Sequence, residues 1–195
     1  MAWGVAEAKQ IGILDLLVAA GAVYVRRTVA YSEEVSPDVA EARAIPIDQQ
    51  VPGVQGNLDI GHPQMCQALT EAASSAGARL LRGVSDVRVS PGMPPVITFV
   101  HEGERLEIKP RLIIGADGRG SAIASQIGAK VESDPLHHLM AGLLIDPVHD
   151  WQTRDMSIGT EGDITFFIVP LAQRTRLYLC YGLENRRRFA GPDAA

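Results

Sequence analysis

The chain has 195 residues, long enough to bury a core as one large domain or two small ones. Hydrophobic residues make up 46% and charged residues 21%, proportions that exclude a disordered or fibrous chain. A formal charge of -5 leaves no basic surplus to neutralise a phosphate backbone, so nucleic acid is not an expected partner.

The opening "MAWGVAEAKQIG" lacks a basic start followed by an apolar core, and no stretch approaches the roughly twenty apolar residues of a membrane helix. A soluble, cytoplasmic protein is expected. Cys66 and Cys180 lie far apart without metal-ligand spacing, which fits reduced, buried thiols. The ends suit a cut chain: residues 2–20 begin as a helix without preamble, and "RRRFAGPDAA" trails off without an element.

Across residues 2–20, Val5, Ala8, Ile11, Leu14, Leu17 and Val18 recur at three- and four-residue intervals, predicting one amphipathic helix stopped by Gly21. "AVYVRRTVAY" and "SEEVSPDVAEARAIPID" predict two strands separated by a Pro-containing turn. "GHPQMCQALTEAASSAGARLL" predicts a helix that starts near Pro63, stops at Gly77 and runs directly into a strand. "ARLLRGVSDVRVS", "VITFVHEG" and "ERLEIK" read as strands, with a hairpin at Glu102-Gly103-Glu104.

The stretch "RLIIGADGRGSAIASQIG", residues 111–128, places an aspartate between glycines after an apolar run. Asp-Gly is a favoured hairpin pair. Ile123 and Ile127, four apart, with Gly128 as a stop, instead predict a strand over 111–115 and a helix from about 119 to 127. At such a junction the helix-start amides favour an oxygen-rich ligand, glycines allow close approach, and the Asp117 carboxylate can accept hydrogen bonds from sugar-type hydroxyls. Capping of the helix by Asp117 accounts for the same residues equally well.

After Gly128, "HHLMAGLLID", "DITFFIVPL" and "RTRLYLCYGL" predict a mainly antiparallel sheet over about 138–182. The order of elements indicates an α/β or α+β protein.

"LIIGADGRGSAIASQIG" resembles the second flavin fingerprint of the class A flavoprotein monooxygenases, the para-hydroxybenzoate hydroxylase type, which runs strand, Gly-Ala-Asp-Gly, then Ser. "AWGVAEAKQIGILDLLVAAGA" is similar to the helix after that family's first βαβ unit, and "GHPQMCQALTEAASSAGARLLRGVSDVRV" to its helix-strand pair near the adenosine end of FAD. The resemblance covers nearly the whole chain in order. It implies a partial FAD-binding domain of the Rossmann-like, glutathione-reductase type over residues 1–128, followed by a partial antiparallel-sheet substrate domain over 129–195.

It further implies FAD as cofactor and NAD(P)H as reductant. Gly115, Asp117 and Gly118 then lie near FAD, the strand around Val87 passes the adenine, and His62 occupies a cofactor-facing position. The activity implied is hydroxylation of an aromatic or other small organic substrate through a flavin peroxide, with no strict catalytic side chain expected. The chain departs from the family at His62, where Arg or Gln is usual, and at Ala124, where Arg often stands. It has neither the family's N-terminal GxGxxG loop nor its later Gly-Asp motif.

Without that glycine loop, FAD binding by this chain alone is expected to be weak or absent, and an uncovered apolar surface favours self-association. The alternative is a non-catalytic remnant that keeps the fold without flavin. A fragment, a partial gene and a degenerate protein all fit.

Other constellations read as structural. His137 and His138 with Asp134 and His149 do not make a metal site, because adjacent strand residues face opposite ways. Ser121 in "GRGSA" is no nucleophile elbow. Phe166, Phe167, Tyr178 and Tyr181 can line a substrate wall, but alternating aromatics in a strand are more often core, and they are left outside the candidate site.

Overall fold

The computed structural model describes residues 1–146 and 154–188. In chain order the elements are α1 (Ala2–Gln10), α2 (Leu14–Ala19), β1 (Val23–Val25), β2 (Arg27–Tyr31), α3 (Pro37–Ala42), β3 (Ile45–Pro46), β4 (Asn57–Asp59) and α4 (His62–Ser75). There follow β5 (Ser85–Ser90), β6 (Val96–His101), β7 (Glu104–Ile108), α5 (Ala122–Gln126), β8 (His138–Ile145), β9 (Met156–Glu161), β10 (Ile164–Pro170) and β11 (Thr175–Gly182). They divide into two compact units, residues 1–77 with 136–195, and residues 78–135.

The first unit holds a six-stranded sheet in the order β3-β2-β9-β10-β11-β8 and the pair β1-β4. The expected sheet over 138–182 is present as the antiparallel ladders β9-β10, β10-β11 and β11-β8. Its edge is extended by β2, which pairs with β9 in parallel, so residues from the N-terminal part of the chain share this sheet.

The expected single helix over 2–20 is two helices. Gly12, at φ 77°, closes α1: its N–H donates to Lys9 O (3.2 Å), and the Ile13 N–H donates to Ala8 O (2.9 Å). This left-handed stop redirects the chain, so Val5, Ala8 and Leu17 are buried while Ile11 remains 66% exposed. The segment after β2 is also corrected: Pro37 does not separate two strands but sits in the first turn of α3, where its missing N–H leaves no bond unmade. Only the two-residue β3 follows.

The core of this unit gathers Ala2, Val5, Val25, Ile47 and Val54, with Ala8, Leu17 and Ala22 in a second cluster against Met65 and Ala68 of α4. Pro63 lies in the first turn of α4, as its sequence predicts. Val25 is fully buried and Val29 nearly so, each contributing about 1.5–3 kcal/mol of transfer free energy. Among the described residues no helix is long and apolar enough to cross a membrane.

Asp59 of β4, opposite Val23, is at odds with its surroundings. Its Oδ2 is buried without a hydrogen-bond partner. Burial raises its pKa, and the Met1 amino group only partly opposes this. A carboxyl that holds its proton more tightly in the native state than in the unfolded one loses stability as pH rises above the unfolded value of about 3.9. Asp59→Asn is therefore expected to raise the melting temperature at pH 7. The gain should shrink as pH falls toward 4, which paired thermal melts of the two proteins at both pH values would show.

The second unit is the meander β5-β6-β7 with α5. The hairpin forms where expected, Glu102 and Gly103 taking φ 52° and 84° in a two-residue turn. The strand expected directly after α4 begins only at Ser85. Residues 119–127 do not pair back on 111–115; α5 is helical, shorter than predicted, and the hairpin reading is excluded.

Residues 112–117, however, join no ladder. The expected strand over 111–115 is corrected to an unpaired segment, because no described strand of this chain lies beside it to take up its N–H and C=O groups. Leu112 and Ile114 are accordingly 71% and 79% exposed.

Candidate functional site

The loop after that segment is built from two glycines with different tasks. A Cβ on Gly115 would meet Ile123 Cγ2 at 2.9 Å, so residue 115 must lack a side chain for α5 to pack there. Gly118 has open space around it but takes φ 82°, a left-handed turn that brings the chain round to the helix.

Ser121 caps α5: its Oγ accepts the Ala124 N–H (2.9 Å), and its hydroxyl donates to Asp117 Oδ1. The Ile123 N–H donates to Asp117 Oδ2 (3.1 Å). The Ser121 hydroxyl, and after it the Ile123 amide, hold the Asp117 carboxyl below the usual carboxylate range. Asp117 is thus a cap, as one of its two sequence readings has it, and an exposed anion at neutral pH. The backbone amides of Asp117 itself and of Ala122 add to these donors, so four protein groups in all favour the charged carboxyl.

Gln126 ties this loop to the meander. Its Oε1 accepts the Val89 N–H (2.9 Å) and its Nε2 donates to Val87 O (3.0 Å), so one side-chain amide completes the bonding of β5. A bulge between Ser85 and Arg88 precedes these bonds. There Asp86, at φ 47°, accepts from Arg88 Nε (2.9 Å) and from Arg105.

Of the residues singled out by sequence, Gly115, Asp117 and Gly118 share one loop, and Val87 is joined to it through Gln126. His62 belongs to the other unit, at the start of α4, with Cys66 Sγ 3.7 Å from its ring nitrogens. Ser121 as cap and Gln126 as clamp were not singled out. The first has a local signal, a serine three residues before Ala124; the second spans 37 residues and has none. Among the described residues no group of His, Cys, Asp and Glu could hold a metal ion; His149 lies outside them.

Removing the cap tests this geometry. Ser121→Ala is expected to cost about 1 kcal/mol of local stability. It should also return the Asp117 carboxyl toward its ordinary titration, since the Ser121 hydroxyl is the main cause of its low pKa. NMR titration of the side-chain carboxyl carbon would show an upward shift; an unmoved midpoint would contradict the assignment.

A glycine-bounded Asp117 turn entering a short helix, a three-stranded meander clamped to it, and a separate mixed sheet define an α/β arrangement. The chain belongs to the FAD binding domain family, which matches residues 8–191.

Solved structures agree on the fold. A flavoprotein/dehydrogenase from Cytophaga hutchinsonii superposes with a TM-score of 0.78 at 16% identity over 94% of this chain and 46% of its own. PqsL, a probable FAD-dependent monooxygenase from Pseudomonas aeruginosa, gives 0.74 at 16% over 95% and 50%. CmlS, a flavin-dependent halogenase, gives 0.74 at 14% over 93% and 34%. The chain therefore spans half or less of the length of these structures. No curated protein matches the sequence.

Proposed function

We propose that this chain is a portion of an FAD- and NAD(P)H-dependent monooxygenase that hydroxylates an aromatic or other small organic substrate. The observation that carries the reading is the Asp117 loop: an exposed carboxylate, flanked by glycines, within a family defined by FAD binding. A sugar-type hydroxyl fits that acceptor. The diphosphate of FAD fits less well, because the sequence has no GxGxxG loop whose amides would cradle it.

The residues of the 78–135 unit that would hold FAD are Gly115, Asp117 and Gly118, with Val87 alongside the adenine. Bound FAD would supply dioxygen activation using reducing equivalents from NAD(P)H. In this reading Asp117 orients hydroxyls, Gly115 and Gly118 let the ligand approach the backbone, and Ser121 and Gln126 keep the loop in shape. Residues 1–128 serve the flavin and 129–195 supply the substrate wall. We place the protein in the cytoplasm.

Sequencing the DNA upstream and assaying the uninterrupted reading frame tests the proposal. It requires an in-frame strand-GxGxxG-helix, and NADH or NADPH consumption that an aromatic substrate stimulates and that yields a hydroxylated product. A stop codon and ribosome site directly upstream, with no NAD(P)H consumption by the chain, would overturn it in favour of a non-catalytic remnant.

A further inference from the structure

The unit of residues 78–135 contains a groove that the flavin reading leaves unused. Its volume is about 430 Å³, inside the range of roughly 300–1,000 Å³ typical of small-molecule sites. Val89 and Pro95 supply one wall, Ile113 another, and Ile123 of α5 with Ile127 at its C-cap a third. It shares Gly115 and Ser121 with the Asp117 loop, but neither Asp117 nor Gly118 lines it.

Arg111 is the one charged residue among those that line the groove. Among the described residues it has no carboxylate partner; the neighbouring Lys109, by contrast, is paired with Glu107 at 3.1 Å. Of the hydroxyls present, that of Ser121 is already committed to Asp117 and the Ala124 amide. A groove with apolar walls, one unopposed guanidinium and no acidic residue favours an anion over a neutral or cationic ligand. The guanidinium fork matches a carboxylate in particular.

We propose that this groove binds a small organic carboxylate with a compact apolar body, Arg111 serving as its counter-ion. The apolar body is held by Val89, Ile113, Ile123 and Ile127, and the carboxylate is held at Arg111. This site does not depend on FAD, so it can stand or fall separately from the function proposed above.

The test uses the whole chain and the fluorescent anion 8-anilinonaphthalene-1-sulfonate as a probe. Binding of one probe per chain is expected, with displacement by 2-naphthoate at concentrations at least about tenfold below those needed for the neutral 2-naphthamide. Arg111→Gln should weaken probe and naphthoate about tenfold or more, while Arg111→Lys restores part of the affinity. Because Arg111 is exposed and unpaired, neither variant should alter the thermal melt.

Any of these results would overturn the proposal: no binding, equal displacement by acid and amide, unchanged affinity in Arg111→Gln, or displacement of the probe by FAD. The last would make the groove part of the flavin site. Self-association of the chain that the probe reverses would instead assign the groove to a second copy, and would overturn the proposal as well.

Discussion

Gly56→Ala is expected to be the most damaging single methyl group that can be added to this chain. Gly56 sits at φ 136°, and a Cβ there would lie inside van der Waals contact of the Val25 carbonyl oxygen, 3.0 Å from its carbon and 3.3 Å from Arg26 Cα. These are backbone atoms, which cannot swing aside as a side chain would. Relief requires β4 to move away from β1 at the pair Val25–Asn57, and Val25 is fully buried at the centre of the first core cluster.

Strain at the left-handed backbone and loss of this packing together should cost about 3–5 kcal/mol. For a chain of this size that is a fall of roughly 6–20 °C in Tm. Gly4→Ala provides the contrast: it lies within α1 with nothing inside 4 Å of the added methyl, and should hold or raise Tm. Paired calorimetric melts check both. A Gly56→Ala protein melting with the parent would contradict the close approach of Gly56 to β1.

The second large effect concerns FAD. Relative to a site with a glycine-rich loop at a helix start, the diphosphate loses a helix dipole of about 0.3–1 kcal/mol. It also loses charge-assisted amide bonds of about 1.5–3 kcal/mol each. Two such bonds and the dipole amount to about 3–7 kcal/mol, or two to five decades of affinity. Asp117 cannot make up this loss, since an ionised carboxylate is an acceptor without a proton to donate and repels a diphosphate.

Much of the architecture was legible where local chemistry decides it. Pro63 marks the start of α4, Glu102-Gly103 can hardly be other than a tight hairpin turn, and the spacing of Ile123 and Ile127 separates a helix from a returning strand. Sequence reading failed where one residue type serves two roles. Pro37 marks a turn or a first helical turn alike, and Gly12 inside a continuous apolar stripe gave no sign that it would stop α1.

It failed again where the outcome depends on residues far along the chain. The apolar run at 111–115 is legible as extended backbone, but whether it joins a ladder depends on strands that its own residues do not specify. The candidate loop shows both sides. Its glycines and Asp117 stood out by sequence, whereas the clamp by Gln126 rests on a strand 37 to 39 residues earlier. Asp117 was open to reading as cap or ligand contact; the cap is formed, and the exposure of its carboxylate keeps the second role available.

In the function proposed above, this chain supplies a loop for the sugar-type hydroxyls of FAD without the amide cradle for its diphosphate. Fluorescence-quenching titration of FAD with the 195-residue chain tests it most directly. We expect weak quenching with half-saturation above roughly 100 µM, or none. Stoichiometric binding at micromolar concentration or tighter, lost in Asp117→Ala, would contradict the claim and make the chain a compact flavoprotein in its own right.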